Sequence, residues 1–342
     1  MLKKNNLSFL IIFMLISVIY AQDEPPFVSE NGSFIENSQN IGVIEFNSKE
    51  KLDWHKVTQK RGRRGLYSTE DTFYRFKVFM GQWDLNGDGK PQKVYNLGRS
   101  IEVEQKTGQY RRYHINNGSW ALLSGCVIDT DGQPGCEMVF NTGYQVKFIY
   151  DRNNRTKTYP INKGSWALLR GGVRDIDGKA GNEIAFNIGS HVKVIYDNSK
   201  RSKSYHINNG SWAILMYCFI EMDGKPGAEA AFNIGRQIKV FENNFKTNRC
   251  YSVSNGSWAV LRGGITDTDG KPGMEVAINI GSRILIICHK AKRVRSYTTS
   301  SGSWRLIDIT NHDEKPGDEI LFNTGYRKYA ICDAKGQKYT VK

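Results

Sequence analysis

Along most of the chain, short runs of β-favouring residues alternate with clusters of Gly, Asn, Asp and Ser, and the runs differ from one another in a fixed order. In the stretch that opens at Trp166, the segment Trp166–Arg174 is apolar on both faces and contains Gly171-Gly172, and Glu183–Asn187 follows it. His191–Tyr196 then sets Val192, Val194 and Tyr196 against polar neighbours, and Lys203–Ile207 is basic and hydroxylic. Period-two alternation bounded by Asp-Gly, Asn-x-Gly and Asn-Gly pairs predicts four antiparallel strands joined by tight turns. Their composition predicts burial that falls from the first strand to the fourth.

The same four-strand pattern recurs. Trp120, Trp166, Trp212, Trp258 and Trp304, each preceded by Gly-Ser, follow one another at intervals of 46 residues. Each copy carries D-x-D-G-K-x-G-x-E or a near variant and then an F-N-x-G turn, and a degenerate earlier copy runs through Trp83, Asn96 and Tyr113. Repeats of this length with four strands each belong to the all-β propeller class, in which no sheet can bury both faces alone. Residues 73–342 therefore read as six tandem blades. Phe34–Val57 resembles only the later part of a unit, so the expectation is a propeller of seven blades, with six blades and an N-terminal extension over 22–72 as the alternative.

Composition adds location. Lys3 and Lys4 precede an apolar run from Leu7 to Ile19 and a small residue at Ala21, which predicts a signal peptide over residues 1–21 and a secreted, extracellular protein, or a periplasmic one in a bacterium. No later segment reads as a membrane span. The formal charge of +14, or +12 without Lys3 and Lys4, favours acidic partners. The six cysteines do not recur at one position in every repeat: Cys126 and Cys136 flank one hairpin loop and are placed to face each other, while Cys288 and Cys332 hold matching strand positions in successive repeats, too far apart to bond.

The acidic turns offer the first candidate chemistry. Asp129, Asp131 and Glu137 recur as Asp175, Asp177 and Glu183, as Glu221, Asp223 and Glu229, and as Asp267, Asp269 and Glu275, and the early copy has Asp84, Asn86 and Asp88. Oxygen donors at positions 1, 3 and 9 of a hairpin suit a hard cation. The pattern resembles the FG-GAP and VCBS-type repeats of integrin α-chain propellers and bacterial exported proteins, and covers about residues 73–342. The resemblance implies structural calcium at these turns. It departs at position 5, where Lys179, Lys225, Lys271 and Lys315 stand. The competing reading is that the acids cap their own turns and pair with that lysine.

A second candidate lies on the outermost strands and the turns before them. Arg152, Arg155 and Lys157, then Lys200, Arg201 and Lys203, then Lys290, Lys292, Arg293 and Arg295, predict a basic rim suited to a polyanion; the same residues also protect a strand edge from aggregation. The repeated tryptophans read as packing between blades rather than as sugar platforms. The six histidines do not recur at one position in every repeat, and no nucleophile motif or H-E-x-x-H is present. These features predict a non-catalytic binding or adhesion module for an extracellular glycan, an acidic polymer or a cell-surface protein, without specific nucleic-acid recognition. The alternative is a lyase-like polysaccharide enzyme on a calcium-bearing propeller.

Overall fold

The computed structural model describes residues 77–341 apart from 243, 301 and 326, and apart from the side chains of 216–218. The expected signal peptide and the partial blade at Phe34–Val57 lie outside the described residues. All the described regular structure is β. The first sheet contains β1 (Val78–Trp83), β2 (Gln92–Asn96), β3 (Ser100–Glu104) and β4 (Tyr110–His114). The second contains β5 (Ala121–Ile128), β6 (Glu137–Asn141), β7 (Gln145–Tyr150) and β8 (Arg155–Pro160), and the third β9 (Ala167–Arg174), β10 (Glu183–Asn187), β11 (His191–Tyr196) and β12 (Arg201–His206). The fourth contains β13 (Ala213–Ile220), β14 (Glu229–Asn233), β15 (Gln237–Glu242) and β16 (Thr247–Ser252). The fifth contains β17 (Ala259–Thr266), β18 (Glu275–Asn279), β19 (Arg283–Cys288) and β20 (Arg293–Thr298), and the sixth β21 (Arg305–Thr310), β22 (Glu319–Asn323), β23 (Lys328–Cys332) and β24 (Gln337–Val341).

Each sheet is an antiparallel meander in chain order, so the molecule is a β-propeller of four-stranded blades, six of them among the described residues. That number matches the alternative blade count; the segment expected to form a seventh is not among the described residues. No described helix is long and apolar enough to cross a membrane.

Burial does not fall from the first strand to the fourth. In the third blade β10 and β11 are almost wholly buried, whereas β9 is exposed at Ala167, Arg170, Gly171 and Arg174. The first strand is a sheet edge with one ladder partner, and its apolar residues are broken by a bulge: Ile184 pairs with Val173, but Phe186 pairs back with Leu168. Gly171 supplies the bulge's left-handed residue at φ 70°, and a Cβ on Gly172 would stand 3.0 Å from the Ala185 carbonyl oxygen. The glycine pair thus serves the close approach of strand two rather than crowding at an axis.

The cores lie between blades. Val139, Val146 and Phe148 of the second blade pack on Ile184, Phe186 and Ile195 of the third, and four equivalent clusters join the other consecutive pairs. At about 25 cal/mol per Å² of apolar area, each cluster contributes more than any one turn. The Gly-Ser-Trp tryptophans tie these interfaces at one end. Trp166 is half-buried, stands edge-on to Phe186 at 5.2 Å, and donates its indole N–H to the Gly143 carbonyl of the preceding blade at 2.7 Å. Trp212, Trp258 and Trp304 repeat that bond at 2.6–2.8 Å.

Candidate functional site

At the opposite end of each blade the acidic turns interlock. Asn182 N–H donates to the Asp129 carbonyl of the preceding turn at 2.9 Å, and the bond recurs from Cys136, Ala228, Met274 and Asp318. Gly132, at φ 74°, lies so close to the Ala180 carbonyl of the next turn that a Cβ would sit 2.5 Å from its oxygen. The glycine of D-x-D-G and the residues before the second glycine are therefore an inter-blade contact, which the motif alone did not disclose.

Within a turn each acid caps backbone N–H groups. Asp175 Oδ1 accepts the Gly178 N–H at 2.7 Å, Asp177 Oδ1 accepts the Lys179 N–H at 3.2 Å, and Glu183 Oε2 accepts the Ile176 N–H at 2.7 Å. In the early copy Asp84 uses both oxygens on the N–H groups of Gly87 and Gly89 at 2.8 Å each, and Asn86 and Asp88 bond each other. Burial pushes the carboxyls of Glu137, Glu183, Glu229 and Glu275 up to about 7, and the neighbouring aspartates push the same way.

Carboxylate oxygens of the three acids in each of the next four turns, and of Asp313, Glu319 and Cys332 with its thiol, converge to within 4.8 Å. Such clusters need positive charge, and the chain supplies it. Lys179 lies 3.5 Å from Asp177, Lys225 2.9 Å from Asp223, Lys271 3.6 Å from Asp269, and Lys335 2.6 Å from Asp313. Arg155 lies 3.6 Å from Asp131, and Lys106 pairs with Asp88. A resident calcium ion takes six to eight oxygens. In the third turn each acid caps backbone N–H groups through one oxygen, and Asp177 Oδ2 and Glu183 Oε1 carry no hydrogen bond; two such oxygens, with the Lys179 ammonium 3.5 Å from Asp177, fall short of that number.

The basic residues divide into two groups. Arg155 lies over the Tyr150 ring at 4.5 Å, Lys157 over Tyr159 at 4.4 Å and Arg201 over Tyr196 at 4.8 Å, while Arg295 bonds Asp333. These cations are drawn into the blades, half-buried except for Arg155, and Arg152 is half-buried as well. Lys200, Lys203, Lys290, Lys292 and Arg293 are exposed, and among the described residues none of them pairs with a carboxylate. Lys290 donates to the Pro272 carbonyl at 3.1 Å.

A buried clasp beside this rim was not foreseen. Asp197, on the turn between β11 and β12, accepts hydroxyl protons from Tyr150 and Tyr159 of the preceding blade at 2.6 Å each and from Thr130 at 3.0 Å. Tyr113 reaches Asp151 and Tyr297 reaches Asp333 in the same way, and Tyr251 shares a hydrogen bond with His289. Desolvation and the aspartate raise these phenols far above their ordinary range. The signal was present in sequence as a tyrosine on strand four and an acid or histidine after strand three, but the partners belong to different repeats.

The cysteines expected to face each other do not. Cys126 packs toward the third blade and Cys136 toward the first, and both thiols are free.

No family's sequence profile matches the chain, and no curated protein matches it. Among solved structures it is similar to virginiamycin B lyase from Staphylococcus aureus, at 14% identity and a TM-score of 0.35 over 76% of this chain and 84% of that one. It is also similar to a chain of the mitotic checkpoint complex, at 9% identity and a TM-score of 0.34 over 79% and 77%. A third is the WD40 domain of SCAP from fission yeast, at 7% identity and 0.28 over 73% and 72%. Likenesses this slight say nothing of ligand or activity.

Proposed function

We propose that this chain is an exported, non-catalytic binding module of the FG-GAP or VCBS repeat type, and that its basic rim captures an acidic extracellular polymer such as a uronate-rich glycan. The observation that carries the reading is the contrast in charge pairing. Every acidic turn has a cation of its own, yet Lys200, Lys203, Lys290, Lys292 and Arg293 stay exposed with no carboxylate beside them among the described residues. Five cations of the third and fifth blades therefore stand where a partner can reach them. Edge protection alone asks only for scattered lysines.

Export follows from the N-terminal charge and apolar run. The acidic turns serve as metal-free locks between blades. A heparin column tests the rim. Wild type should elete only at raised salt, and Lys200→Ala with Lys203→Ala should elute earlier with an unchanged melt. Coincident elution of the two proteins would return the rim to edge protection. Arg201 is left in place because its guanidinium packs on the Tyr196 ring.

A further inference from the structure

At the end of the blades away from the acidic turns, a cavity of about 280 Å³ opens between the first and second blades. Ile115 and Asn116 form one wall, and Thr142, Tyr144, Gln145, Lys147 and Thr158 the other. The lining is mainly polar, with one large ring at the mouth: Tyr144 is 64% exposed. We infer that this cavity is a carbohydrate subsite that holds one pyranose ring of a glycan, with Tyr144 as its stacking platform.

A sugar ring presents an apolar C–H face and a polar edge of hydroxyls, so its site needs a flat aromatic beside fixed donors and acceptors. The cavity has both. The Asn116 side-chain N–H donates to the Ser119 carbonyl at 3.1 Å, which orients the amide and leaves its oxygen to accept. The Thr142 hydroxyl is held by the Gln145 carbonyl at 3.1 Å. The Gln145 amide and the Thr158 hydroxyl bond no partner among the described residues. Lys147 gives one proton to the His114 carbonyl at 2.8 Å and a weaker bond to that of Ile115 at 3.4 Å, and so fixes the floor.

The repeat supplies its own control. Lys193 and Lys239 make the same inter-blade tie at the next two junctions, so the lysine is a structural element. The turn residue varies: where the second blade has Tyr144, the first has Arg99, the third Ser190, the fourth Arg236 and the fifth Ser282, while the sixth repeats the tyrosine as Tyr326, in the same Asn-Thr-Gly-Tyr turn. An exposed tyrosine at this one described junction has no packing role to explain it. The cavity borders the second blade's rim position, since Thr158 follows Lys157 on β8, but the exposed rim cations Lys200 and Lys203 belong to the third blade.

Saturation-transfer NMR on the full chain, with glucose, galactose, mannose, N-acetylglucosamine and N-acetylgalactosamine as probes, tests this directly. At least one should bind, with an affinity that changes less than about twofold between about 50 and 500 mM NaCl, because no net charge is neutralised. Tyr144→Ala should weaken that binding at least about tenfold, and Tyr144→Trp should keep it, because a larger ring preserves the stacking face. Tyr144 is exposed enough for both variants to fold. Absence of binding by all five sugars, or binding that survives Tyr144→Ala, would overturn the inference. Binding that instead disappears in the Lys200→Ala, Lys203→Ala variant would place the sugar at the rim and overturn it as well, whereas loss of rim binding alone leaves this site standing.

Discussion

Glu183→Gln in the third blade separates a metal-free lock from a cation site. Glu183 is fully buried, its Oε2 accepts the Ile176 and Asp177 N–H groups at 2.7 and 3.2 Å, and its Oε1 has no hydrogen bond. Burial and the Asp177 charge raise its carboxyl from 4.5 to about 7. A carboxyl raised on folding contributes stability that is fully present below pH 4.5 and is lost as pH rises through 7, so at pH 8 it opposes folding by up to roughly 3 kcal/mol. Glutamine keeps the accepting oxygen, carries no charge, and can offer its amide N–H to Asp177 Oδ2, which also lacks a hydrogen bond. Part of the penalty returns as relaxation and solvent access, so Glu183→Gln should stabilise by about 1–2 kcal/mol at pH 8, or roughly 2–4 °C in Tm. At pH 5 it should be close to neutral. Paired thermal melts of the two proteins at both pH values read the difference without assuming that a repeat array unfolds in one step. A variant less stable than wild type at pH 8, with the loss deepened by added calcium, would show that Glu183 is ionised around a cation and refute the reasoning.

Two further outcomes follow from the same contacts. Chelation with EDTA should leave the Tm of the wild-type protein unchanged, since lysine and arginine already hold the second acid of each turn; a fall of several degrees would restore structural calcium. Tyr159→Phe should cost about 1–2 kcal/mol in urea unfolding, because it removes a donor from buried Asp197, whereas an exposed hydroxyl would cost nothing measurable.

Much of this architecture can be read from residue order. The 46-residue spacing and the turn clusters place Glu183–Asn187 and His191–Tyr196 where the strands lie, and strand four begins only two residues earlier than expected, at Arg201. Composition misled on burial. The apolar first strand is an edge carrying a bulge, whereas β10, with Glu183 at its head, is buried because it is sandwiched between neighbours on all sides. The acidic motif resembles a metal loop since carboxylates in a tight turn look alike whether they cap N–H groups or hold an ion; what the structure adds is the Lys179 ammonium 3.5 Å from Asp177. The clasp at Asp197 and the cavity at Tyr144 escaped for one reason. Each is assembled from two successive repeats, and a pattern read within one repeat does not register a partner 38 residues away.

The rim is tested most directly by the affinity of the protein for fluorescently labelled polygalacturonate, measured by anisotropy across a salt series. Lys200, Lys203, Lys292 and Arg293 act through a screened field, so binding should weaken at least about tenfold between about 50 and 200 mM NaCl. Neutralising those four should weaken it by a similar factor at low salt while the Tm stays unchanged. Affinity that ignores salt, or a neutralised variant that binds like wild type, would contradict capture by the rim.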